Sequence, residues 1–200
     1  RINYTRELKQ LYAEVLKMGE QVEKSIEDTW KMICSFDEAA AKEIIAKDDV
    51  IDQMEREIEQ KCLDLVLTQT PVAGDWRRIA SIMRMISDLE RIGDHCSDIS
   101  ECALKLMHKP KIPLPSQLGK MFNQVKTMVS GTVQAFVELD LEKAHNVMKQ
   151  DDIQDDYFAK TIDDLCAYME KDPHSVRQNI DYLLIAKYLE RMADHSTNLA

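Results

Sequence analysis

Leu89-Glu90-Arg91-Ile92-Gly93-Asp94-His95 and Leu189-Glu190-Arg191-Met192-Ala193-Asp194-His195 stand 100 residues apart and share five of their seven residues. Upstream, an offset of 103 lays Thr29 on Thr132, Asp37 on Asp140, Ala41 on Ala144, Asp48-Asp49 on Asp151-Asp152 and Asp52 on Asp155. The same offset matches Ile26, Ile33, Ile44 and Ile45 with apolar residues. A 200-residue chain that repeats at half its length holds two copies of one unit, each of ordinary domain size. Lys109 to Pro115 carries three prolines in seven residues and reads as the linker, a hinge or joint between residues 1–108 and 116–200.

Helical periodicity fills each copy. Leu8, Leu11, Tyr12, Val15, Val22, Ile26, Trp30 and Ile33 recur as one amphipathic stripe, and Gly19 lies on it, where a neighbouring helix can come close. Ser35 and Glu38 form a capping box for a second helix running to about Thr68, after which Thr70-Pro71 and Gly74 break the chain. Asp75 caps a third helix, to about His108. Beyond the linker, Ser116 caps a helix to about Glu138, Asp140 another to about Glu170, and Asp172-Pro173 starts the last. The fold class is therefore all-α, a tandem repeat of two three-helix bundles built from six long helices.

Composition narrows the function. Glycine and proline number five each, so there are few places to turn. The 44% apolar content supplies a core and the 31% charged content coats it. A net charge of −10 repels phosphodiester backbones and anionic headgroups, which argues against a nucleic-acid ligand. The longest apolar run, Tyr182 to Ala186, is far below the roughly 20 residues of a membrane span. Neither a transmembrane segment nor an export signal is read, and five unpaired-looking cysteines fit a reducing cytoplasm.

The acids break the pattern. With Ile44, Ile45, Cys62, Leu63 and Val66 as the stripe of the second helix, Asp48 and Asp52 project into its middle. On the third helix Glu90 falls among Ile79, Ile82, Met83, Ile86 and Leu89, with Asp94 on the flank. The second copy repeats this: Asp151 and Asp155 lie amid Val147, Met148, Ile162, Leu165 and Met169, and Glu190 and Asp194 follow Leu183, Ala186 and Leu189. Residues four apart share a helix face, so facing helices bring four carboxylates together in each copy. Such a set needs protonation, a basic partner such as Arg91 or Arg191, or bound metal, and all-carboxylate sets favour hard cations. The competing reading is that these acids line exposed faces and that the stripe is wrong by a residue or two. Glu55 and Glu59 are lesser candidates because Phe158 and Ile162 replace them in the second copy, while His95 and His195 turn outward or into an interface.

The chain resembles the PhoU family of phosphate-signalling proteins. The residues that carry the resemblance are Asp48-Asp49-Val50-Ile51-Asp52-Gln53-Met54-Glu55, Thr70-Pro71-Val72-Ala73-Gly74-Asp75-Trp76-Arg77-Arg78, Leu89-Glu90-Arg91-Ile92-Gly93-Asp94, Phe136-Val137-Glu138-Leu139-Asp140 and Leu189-Glu190-Arg191-Met192-Ala193-Asp194. The resemblance implies a PhoU-like fold with metal at Asp48, Asp52, Glu90 and Asp94 and at Asp151, Asp155, Glu190 and Asp194. The expected cofactors are divalent or trivalent metal ions, iron or zinc first. It implies a cytoplasmic regulator of phosphate signalling and uptake, without enzymatic activity. Such a protein would be a negative regulator of the phosphate-starvation response, coupling the ATPase subunit of the phosphate ABC transporter to a sensor histidine kinase; a homodimer is allowed for. Ala193 departs from Gly93, and the chain stops six residues past Asp194, where several more helical turns are expected, so the C-terminal helix is read as truncated.

Two other functions compete. A carboxylate-bridged dimetal storage or redox protein needs Glu-x-x-His on two helices, but Gly93 and Ala193 stand three residues after Glu90 and Glu190. A metal-free helical adaptor is the third reading. No catalytic triad or phosphate-cradling glycine loop is evident.

Overall fold

The computed structural model describes residues 2–69 and 73–199. Within them the elements are α1 (Ile2–Ser35), α2 (Glu38–Ala46), α3 (Asp48–Gln69), α4 (Ala73–Met107), α5 (Leu118–Glu138), α6 (Leu141–Lys171) and α7 (Val176–Leu199), with a 3₁₀ turn at Pro173–Ser175. The described residues contain helices and no strand.

The corners repeat with the sequence. Phe36 and Leu139, 103 residues apart, both adopt left-handed backbone, φ 53° and 57°. Each precedes an aspartate cap: Asp37 accepts from the Ala40 N–H, and Asp140 from the Glu142 and Lys143 N–H groups. Asp172 likewise caps the 3₁₀ turn through the His174 N–H. Three expected caps fall elsewhere. The Ser35 hydroxyl donates back to the Lys31 carbonyl at the end of α1, leaving the cap to Asp37. Asp75 lies inside the first turn of α4. The Ser116 hydroxyl donates to Asp164, and Gln117 occupies the N-cap of α5 without a side-chain hydrogen bond. The expected break at Thr70-Pro71 lies outside the described residues, and Gly74 belongs to α4.

The second expected helix is divided. At Lys47 the N–H is shared among the Glu43, Ile44 and Ile45 carbonyls, and Val50 N–H bonds to the Lys47 carbonyl, a tightened turn between α2 and α3. This changes the phase of the helix. The buried stripe of α3 is Ile51, Ile58, Cys62 and Leu65, whereas Leu63 is exposed. In α6 the buried residues are Ala144, Val147, Gln154, Thr161 and Leu165, while Met148 and Ile162 are exposed. The aspartates therefore flank the core at its boundary instead of sitting in its middle.

α1, α3 and α4 pack together in one half, and α5, α6 and α7 in the other. The halves meet along α1 against α5 and α4 against α7, and their buried side chains form one cluster. Tyr12 meets Phe136 and Trp30 meets Phe122 across this seam, with ring centroids 5.6 and 5.1 Å apart. Lys126 pairs with Glu27 at 2.9 Å. Lys109 ties the linker to nearly buried Asp181 at 2.8 Å. Gly19 does what its place on the α1 stripe implies: an added Cβ would lie 2.9 Å from Val133 Cγ2 and 3.3 Å from its Cβ. Val133 is stiff and buried, so Gly19→Ala is expected to lower stability by about 1 kcal/mol despite its better helix propensity. Urea unfolding monitored by circular dichroism checks the sign, and a more stable variant would contradict this packing.

Candidate metal centre

Asp48 opens α3 and Asp52 follows one turn later, at the edge of the buried stripe. Antiparallel α4 carries Glu90 and Asp94 one turn apart, beside buried Leu89 and Ile92. The helices close because residue 93 is glycine: a Cβ there would meet Ile51 Cδ1 at 2.8 Å. All four acids are half-buried. One oxygen from each of Asp48, Asp52 and Asp94 lies within 4.8 Å of the other two. Glu90 stands beside this trio without joining it at that distance.

Burial and mutual repulsion shape the charge state. Asp48 is pushed up to about 6, first by burial and then by Asp94, Asp52 and Asp98. Glu90 is pushed up to about 7 by burial, then by Asp94 and Glu55, against a smaller downward pull from Arg91. Asp94 is raised for the same primary reason. Two basic residues reach the trio from the rim. Arg91 Nη1 lies 3.2 Å from Asp94 and its Nε 3.6 Å from Glu90, while Arg56 donates to Asp52 Oδ2 at 3.3 Å. Both guanidinium groups are about 60% exposed or more, so their pairing is strongly screened. Asp52 Oδ1 is buried and has no hydrogen-bond partner. A half-buried trio of carboxylates with an orphaned oxygen fits a hard cation, which would replace the missing partner and relieve the repulsion.

The second set is looser. Asp151 and Glu190 are half-buried, but Asp155 and Asp194 are exposed. Among the described residues, no equally tight trio forms from Asp151, Asp155, Glu190 and Asp194. Burial raises Asp151, followed by Asp155, and raises Asp194, followed by Glu190. The basic contact here is Lys187, 2.6 Å from Glu190.

One acidic neighbour of the site escaped the sequence reading. Asp98 continues the Glu90, Asp94 series by one more turn and loads charge onto Asp48 and Asp94; its counterpart is Asn198, so the repeat gave no signal for it. Glu55 is half-buried beside Glu90. His95 and His195 lie in the α4–α7 seam, as an interface role requires, with ring centroids 5.8 Å apart. Their Nδ1 atoms pair with Asp98 at 3.0 Å and Asp88 at 2.8 Å.

These features define a class: an all-helical protein of two homologous halves with a paired-carboxylate motif on two helices of each. A PhoU domain model matches residues 15–103 and 118–200, and the chain belongs to the PhoU family. It is 37% identical over 197 residues to a phosphate-specific transport system accessory protein PhoU homolog of Clostridium acetobutylicum, covering 98% of this chain and 90% of that one. Against the Pseudomonas aeruginosa homolog the identity is 31%, with 98% and 82% covered. The crystal structure of PhoU from Pseudomonas aeruginosa superposes with a TM-score of 0.92 at 30% identity, covering 98% and 94%. That of the phosphate transport system regulatory protein PhoU from Streptococcus pneumoniae gives 0.90 at 30% identity, covering 98% and 92%.

Proposed function

We propose that this protein is a cytoplasmic regulator of phosphate transport and signalling that holds a metal ion on its paired acidic motifs. Membership of the PhoU family over nearly the whole chain supports the regulatory role, and relatives carry the name of accessory proteins of the phosphate-specific transport system. The observation that carries the metal is the trio Asp48, Asp52 and Asp94 with the orphaned Asp52 Oδ1. Asp48, Asp52 and Asp94 would hold the ion, with Glu90 as a further donor. Bound there, the ion neutralises the cluster and fastens α3 to α4. Because two of these acids are pushed up towards neutral pH, binding releases protons.

The protein acts by contact and catalyses nothing. Its partners are the ATPase subunit of the phosphate ABC transporter and a sensor histidine kinase, and its output is repression of phosphate-starvation genes when phosphate is plentiful. No helix among the described residues is long and apolar enough to cross a membrane, which fits partners met from the cytoplasmic side. A dimetal redox role is disfavoured because His95 engages Asp98 and the α7 seam while Gly93 takes the position a bridging histidine would need. Deleting the gene is expected to raise alkaline phosphatase at least several-fold in phosphate-rich medium. Unchanged repression, with no transporter or kinase subunit co-purifying, would remove this reading.

A further inference from the structure

The two halves carry matching acidic motifs but different surroundings. At 103 and 100 residues' offset, Glu55 and Ser87 of the first half become Phe158 and Lys187 of the second. Lys187 Nζ lies 2.6 Å from Glu190, whose side chain is 16% exposed, and 5.4 Å from the centroid of the Phe158 ring. The ring's negative face and the Glu190 carboxylate thus hold one ammonium between them.

In the first half nothing equivalent exists at position 87. Arg91 approaches from an exposed place at 3.2 and 3.6 Å and Arg56 from another at 3.3 Å, each with its charge spread over the guanidinium, while Asp98 and Glu55 add negative charge. The Arg91 counterpart, Arg191, is also exposed, so the charged surroundings of the two sets differ at positions 87/187, 55/158, 56/159 and 98/198, and of these only Lys187 places a cation against the second set.

We infer that Lys187 is a built-in counter-ion for the second acidic set, so that the chain takes one cation tightly, on Asp48, Asp52 and Asp94, and a second only weakly. This rests on the cation-site reading above. An incoming ion at the second set, where Asp151 Oδ1 and Glu190 Oε2 are buried without a hydrogen-bond partner, must displace or face an ammonium 2.6 Å from Glu190. The repeat therefore divides labour: one half answers to metal, and the other is held in its neutralised shape by its own side chain.

Manganese(II) titration of metal-stripped protein, read from the electron paramagnetic resonance of the free aqua ion, tests this without any assay of function. Wild type is expected to bind one equivalent tightly. Lys187→Met keeps an apolar stem against Phe158 and removes the charge; it should tighten the second equivalent about ten-fold or more. Ser87→Lys, at an exposed position, should weaken the first by a similar factor. Two equal equivalents in wild type, or a second equivalent unmoved by Lys187→Met, would overturn the inference and leave the cation site standing. If neither wild type nor Lys187→Met binds manganese more tightly than millimolar, the cation site falls and the inference falls with it.

Discussion

Glu90→Gln combined with Asp94→Asn is expected to weaken metal binding in the first half by about 100-fold or more while the fold persists. Asp94 is one of the three carboxylates that converge, and Glu90 stands next to them on the same face of α4. Loss of a hydrogen-bond partner behind a metal ligand alone costs about 10- to 100-fold, so removing a ligand and a neighbouring charge belongs at or above the upper end. Neither change leaves a buried charge unpaired. Both relieve repulsion, since Asp94 raises Asp48 and Glu90, so the metal-free variant should melt no lower than wild type. Calorimetric titration with manganese(II), paired with a circular-dichroism melt, separates the effects. Unchanged affinity in a folded variant would remove α4 from the site.

Why the sequence showed the helices but misplaced the acids follows from particular residues. The seven-residue motif around Glu90 and its copy fixed the repeat, and Asp140 and Asp172 marked helix starts that the structure keeps. The α1 stripe was legible because one uninterrupted helix carries it, with Leu8, Leu11, Val15, Val22, Ile26 and Ile33 all buried. The α3 stripe was not, because extrapolation from Ile44 and Ile45 crosses the tightened turn at Lys47 and loses phase. In α6 the pattern is blurred by composition: buried Gln154 and Thr161 stand where α3 has Ile51 and Ile58, and exposed Met148 and Ile162 look like core. Ser35 and Ser116 resemble caps locally, yet their hydroxyls reach a preceding carbonyl and Asp164. Nothing within one helix's pattern could reveal that second choice. Asp98 and Arg56 went unread because Asn198 and Ala159 replace them in the second copy, and recurrence was the filter.

Metal-free protein should lose stability as pH rises from 5 to 8, by on the order of 2 kcal/mol, and regain it when a divalent cation is added. Asp48 moves from 3.8 to about 6 and Glu90 from 4.5 to about 7, both upward, so the folded state holds these protons more tightly than the unfolded chain. Between about pH 4 and pH 7 the folded state carries more protons, and the linkage relation then makes stability fall with pH. Below that window both states are protonated and nothing is lost; above about 7 the full cost of the crowded carboxylates is present. Taken at face value each shift is worth about 3 kcal/mol, but both groups are half-exposed, screened and coupled, which reduces the pair to the smaller figure. Asp94, Asp151 and Asp194, also raised by burial, push the same way. Surface pairs such as Glu27 with Lys31 act oppositely, but Glu27 titrates at about 2, so its change is finished before pH 5. For a chain of this size the loss corresponds to a fall in Tm of roughly 4 to 8 °C. Cation binding needs deprotonated ligands, so saturating manganese(II) should reverse the slope, adding about 2.7 kcal/mol at 100 times Kd. Differential scanning calorimetry in chelator and in manganese(II), on wild type and Glu90→Gln, reads all of this. The variant should show the shallower fall in chelator, and a Tm that rises from pH 5 to 8 in metal-free wild type would show that the carboxylates are not crowded as the helix pair α3 and α4 arranges them.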